Sequence, residues 1–119
     1  MEIKIEMDNA VVILKPVGNL VAGTADELKA QVARLIEKKY LFILLDMGKV
    51  DFMDSSGLGS CIAIKRDLAA NVGMLVCTGL NENVKKVFRM THADQKIMIS
   101  DTSQDAVAAL QERIHAARN

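Results

Sequence analysis

A chain of 119 residues, half of them hydrophobic and a quarter charged, has the balance of one folded domain rather than of a disordered segment. Fifteen Lys and Arg are matched by fifteen Asp and Glu with no dense basic block, so charge gives no support to nucleic-acid binding. No uncharged run approaches a membrane span and no signal-peptide apolar segment opens the chain, so a cytoplasmic protein without direct membrane insertion is expected.

Aromatic residues make up 3% and Trp is absent, so the core has to be aliphatic. Ile3, Ile5 and Met7 alternate with charged residues, the period of a strand with one wet face. Asp8-Asn9 signals a tight turn into a second strand over Ala10 to Leu14, making a hairpin. Pro16 and Gly18 are expected to end that strand, because proline cannot donate to a ladder. Thr24-Ala25-Asp26-Glu27 has the form of a capping box. Behind it, Leu28, Val32, Leu35 and Ile36 fall on one side of a helix, with Lys29, Gln31, Arg34 and Lys38 on the other. Leu41 to Leu45 is a short apolar run of the sort that a strand covered on both faces requires.

A second helix is expected from about Gly57 to Ala70, with Leu58, Cys61, Ile62 and Leu68 inward. Met74 to Cys77 reads as a buried strand, Glu82 to Arg89 as a short helix and Ile97 to Ile99 as a short strand. Thr102 to Ala117 closes the chain as a helix with Val107, Leu110 and Ile114 in its apolar stripe. A hairpin followed by repeated helix–strand units predicts an α/β domain over 1–119, with a mixed sheet whose later strands are parallel. Monomer is the expected state, since the sequence shows no unmatched apolar stripe. Cys61 and Cys77 read as buried thiols, and neither His92 nor His115 has ligand spacing to them, so no metal or cofactor is expected.

The chemistry concentrates in Asp46 to Gly59, between a buried strand and a helix, where backbone N–H groups lie unpaired. Asp and Ser are favoured N-caps, but two adjacent serines exceed what one cap needs. A hydrolase would set its serine in a G-x-S-x-G elbow with a histidine base, whereas here the flanks are Asp54 and Ser56. The phosphate-cradling G-x-x-x-x-G-K-[ST] loop is absent. With no complete acid–base or nucleophile set, no enzyme is expected. A phosphoacceptor serine fits better: phosphate brings nearly two negative charges, which a helix N-terminus tolerates and which Asp51 and Asp54 sharpen by repulsion.

Val50-Asp51-Phe52-Met53-Asp54-Ser55-Ser56-Gly57-Leu58-Gly59 resembles the motif of the bacterial anti-sigma-factor antagonists, the STAS family. The likeness extends over nearly the whole chain. Gly18-Asn19-Leu20 with Thr24-Ala25-x-x-Leu28 is similar to the family's approach to its first helix, and Asn83 to Phe88 to its third. The resemblance implies that Ser55 is the phosphoacceptor of a GHKL-type serine kinase that is also the anti-sigma factor, reversed by a PP2C-type phosphatase. It implies that Asp54 orients Ser55 and that Ser56 and Gly57 shape the turn for kinase recognition. Unphosphorylated protein is then expected to hold the anti-sigma factor through Met53, Leu58, Asn19 and Thr24, and phosphorylated protein to release it. A constitutive scaffold or complex subunit without phospho-switching is the alternative. Two positions depart from the pattern: Val21 stands where the family often has an acidic residue, and Met90-Thr91-His92-Ala93 lacks the usual glycine, which predicts a locally different loop.

Overall fold

The computed structural model describes residues 1–118. Strands β1 (Glu2–Asp8) and β2 (Val11–Leu20) form the hairpin and lead to helix α1 (Ala22–Glu37). Strands β3 (Phe42–Asp46) and β4 (Val50–Met53) precede helix α2 (Ser55–Ala70). The chain continues through β5 (Met74–Thr78), α3 (Glu82–Met90), a single 3-10 turn at Ala93–Gln95, β6 (Met98–Ile99) and α4 (Ser103–Arg118).

The sheet order is β1-β2-β3-β5-β6, with β4 beside β2 as well. Only β1 is antiparallel to its neighbour. This is the mixed α/β sheet with later parallel strands that the helix–strand repeats predict. Alternation along the central strands sorts their side chains into two layers, as a period of two requires. Val12, Leu14, Ile43, Leu45, Leu75 and Cys77 join α1, α2 and α3 in the larger core cluster. Val11, Leu44 and Val76 face the other way, against Ala106 and Leu110 of α4. Among the described residues Phe88 is the one large aromatic side chain fully inside.

Three expectations change. β2 does not end at Pro16 but runs to Leu20. Its pairing with β3 reaches only Leu14, and pairing with β4 starts at Gly18, so Pro16 lies between two parallel partners where its missing donor breaks neither ladder. Helix α1 begins at Ala22, with Thr24 in its first turn rather than at the cap. The Thr24 hydroxyl accepts from the Val21 N–H at 3.0 Å and donates to the Asn19 carbonyl at 2.6 Å. Glu27, the other half of the expected box, instead meets the Met1 ammonium at 2.6 Å. Finally, β4 stands where the sequence reading had placed only a turn.

Candidate functional site at the head of α2

Strands β2, β3, β4 and β5 run the same way, so their carboxyl ends share one edge, the edge where open α/β sheets carry their sites. β4 delivers the chain to this edge and α2 carries it back. Asp54 is the joint: its backbone is extended (φ −105°, ψ −172°) and its Oδ1 accepts from the Gly57 N–H at 3.0 Å. Its own N–H donates to the Leu20 carbonyl at 3.2 Å, and its carbonyl accepts from the Leu58 N–H at 3.0 Å. The N-cap is thus filled by an aspartate. Ser55 and Ser56 occupy the first two helical positions and are both exposed. Their N–H groups are among those that a helix cannot satisfy internally, which leaves a ready seat for negative charge.

Gly57 has a packing reason. A Cβ there would stand 2.3 Å from the Leu20 carbonyl oxygen and 2.9 Å from both Leu20 Cβ and Met53 Cγ. Any side chain would push the first turn of α2 away from the ends of β2 and β4. Ser60 below it is buried and donates to the Gly57 carbonyl at 2.6 Å.

Met53 and Leu58 are not where the sequence reading had them. Both are core residues, 1% and 5% exposed, and neither side chain lies open on a partner face. The cause is a bulge: Gly18 pairs with Val50 but Leu20 pairs with Met53, so two steps of β2 oppose three of β4. The extra residue turns Met53 inward with Val50 and leaves Phe52 outside, 44% exposed. Phe52 is therefore the apolar side chain that this end of β4 presents to solvent. Asn19 is exposed and Thr24 half-buried. Their mutual hydrogen bond, together with the bond from Asp54 to Leu20, brings this loop against the head of α2.

Sequence reasoning missed Asn81. Its Oδ1 accepts from the Val84 N–H at 2.9 Å and caps α3, while its Nδ2 donates to the carbonyls of Val50 and Asp51 at 3.1 and 3.0 Å. One side chain thereby ties α3 to β4. The available signal was an Asn three residues before the first apolar position of the helix. His92 has φ 60° and is itself left-handed, a backbone of the kind that glycine favours.

Among the described residues no group of three His, Cys, Asp or Glu side chains is arranged to hold a metal ion. Burial pushes the Cys61 thiol up to about 12, a hydrogen bond with Ser60 opposing it weakly, and burial raises Cys77 well above the ordinary thiol value. Neither is a thiolate near neutrality. Among the described residues, no helix is long and apolar enough to cross a membrane.

The family model for the STAS domain matches residues 2–106. The chain belongs to the STAS domain family. A Thermotoga neapolitana protein described as a candidate anti-sigma factor antagonist is 32% identical to this STAS domain over 104 residues, 87% of this chain and 92% of that one. The anti-sigma-B factor antagonist of Listeria monocytogenes is 28% identical over 101 residues, 85% and 88% of the two chains. The crystal structure of a candidate anti-sigma factor antagonist from Thermotoga maritima superposes with a TM-score of 0.87 at 27% identity, covering 92% of this STAS domain and 94% of that chain.

Proposed function

We propose that this STAS domain is a cytoplasmic anti-sigma factor antagonist, a binding protein rather than an enzyme, whose partner is exchanged by phosphorylation of Ser55. The observation that carries the reading is that Asp54 caps α2, so that Ser55 has no capping duty and lies exposed on the first turn. A phosphate there adds nearly two negative charges beside unpaired backbone N–H groups, so the fold survives while the surface potential reverses its appeal to a partner. Asp51, exposed one strand residue before Phe52, adds to that field. The partner is an anti-sigma factor that is also a serine kinase of GHKL type, and a PP2C-type phosphatase resets the switch. Asn19, Thr24 and Phe52 border the same edge and form the contact face around Asp54, Ser55, Ser56 and Gly57.

The test is a pull-down from native lysate with wild-type, Ser55→Ala and Ser55→Asp baits, with bound proteins identified by mass spectrometry. Capture of a GHKL-type kinase by the first two and its loss with the third is the expected result. Equal capture by all three overturns the switch and leaves a constitutive scaffold or complex subunit.

A further inference from the structure

β1 is the edge of the sheet, hydrogen-bonded to β2 on one side and, among the described residues, to no strand on the other. Such an edge offers a row of free N–H and C=O groups to any strand laid beside it. Proteins that stay monomeric blunt their edges with proline, bulges, very short strands or charged side chains. β1 has no proline or bulge and runs seven residues in unbroken register, from Glu2 opposite Val17 to Asp8 opposite Val11, so its four charged residues are the only guard it carries. Its apolar face is also unfinished. Ile5 and Met7 are 46% and 52% exposed, an unmatched stripe of the kind whose apparent absence had pointed to a monomer.

The charges on the other face are ordered in a way that one further copy of the same strand satisfies. Lys4 sits directly opposite Lys15 of β2, a like-charge pair, while Lys15 is engaged by Glu6 at 3.0 Å. Among the described residues Lys4 itself joins no ion pair. When a second β1 is laid antiparallel with the two-fold axis at Ile5, each Lys4 falls opposite the partner's Glu6. Each Ile3 falls opposite the partner's Met7, and Ile5 meets its own copy. Moving the axis to Lys4 or Glu6 sets like charges face to face at the centre. A shift by a single residue sets apolar side chains against charged ones. Only Glu2 against the partner's Asp8 is unfavourable, and that pair lies at the strand ends.

We propose that β1 is a homodimer interface, in which two copies pair antiparallel about Ile5 and join their sheets into one, with the isologous symmetry of a two-fold contact. The occupant of the edge is a second copy of this chain. Because the paired strands run in opposite directions, the two α2 heads lie at opposite ends of the joined sheet and both remain open to a partner.

The experiment is sedimentation velocity over a hundredfold range of protein concentration, with circular dichroism to show that each variant is folded. Wild-type protein should double its weight-average mass as concentration rises. Lys4→Glu and Glu6→Lys should each remain at the monomer mass, because each sets like charges opposite one another. Mixed together they should form a heterodimer, since every contact between positions 4 and 6 is then again of opposite charge, one copy acidic at both positions and the other basic at both. Ile5→Cys should yield a disulfide-linked dimer on mild oxidation, whereas Met7→Cys, opposite the partner's Ile3, should not; the two native thiols are buried and give no background. A wild-type protein that keeps monomer mass throughout, or a dimer indifferent to both charge variants, overturns the proposal.

Discussion

Val72 shows how a single side chain can oppose the fold it belongs to. It follows the C-cap of α2 with φ 61°, the left-handed conformation that commonly ends a helix and that glycine adopts freely. A β-branched residue resists it, and at 77% exposure Val72 recovers little by burial. Val72→Gly is therefore expected to stabilise the protein by about 1 kcal/mol in urea unfolding, the cost of left-handed backbone outweighing the added freedom of the unfolded chain. At the head of α2 the roles of neighbouring residues separate in the same experiment. Asp54→Ala removes the cap and should cost about 1 kcal/mol. Ser55→Ala, on an exposed position that caps nothing, should fall within about 0.5 kcal/mol of wild type. Equal losses in the two variants would refute the assignment of the cap to Asp54.

Between elements, the weakest junction of the site is β4, which has four residues and two registered pairs with β2. Asn81 compensates by binding two β4 carbonyls while capping α3. Asn81→Ala should cost about 2 kcal/mol, one cap and the bonds to the strand together. Asn81→Asp, which keeps the acceptor and loses the donor, should restore only the cap. The hairpin, the helices and the central strands were legible in the sequence because their apolar residues repeat with the period of the element itself. The turn from Asp54 to Gly57 was legible for another reason, its unusual run of Asp, Ser, Ser and Gly. β4 was hidden because it is short and because its side chains follow a bulge set by pairing with β2. Met53 and Phe52 exchange places through a contact with a strand thirty-three residues earlier, Leu20 with Met53, and no local pattern encodes that. Thr24 misled in the same way: its spacing to Glu27 is that of a cap, yet the helix starts three residues sooner and uses the hydroxyl from within.

At the scale of the molecule, two thiols are held neutral inside an aliphatic core. The unfolded chain ionises near the ordinary value of 9.0, while folded Cys61 stays protonated to about 12 and Cys77 also lies well above 9.0. Above that ordinary value the unfolded state binds fewer protons than the native one. Stability is thus fully present below pH 9 and falls as pH rises through the alkaline range, by about 1.4 kcal/mol per pH unit for each thiol that ionises only on unfolding. Urea midpoints on either side of this value should show the loss, and a Cys61→Ala, Cys77→Ala double variant should show less of it. A thiol reagent should modify neither residue in native protein and both in denaturant.

β2 belongs to two parallel ladders, the three-register pairing with β3 and the two-register pairing with β4, with Pro16 between them. This divides the sheet in time as well as in space. The β3 ladder is buried under helices on both faces and opens only with the whole domain, whereas the β4 end can come loose while the rest stands. Amide hydrogen exchange should accordingly be slow along Ile43 to Leu45 and faster along Val50 to Met53. The Ser55 turn is then mounted on the less firmly held of the two ladders, and a partner that closes on it should be read out as protection gained there.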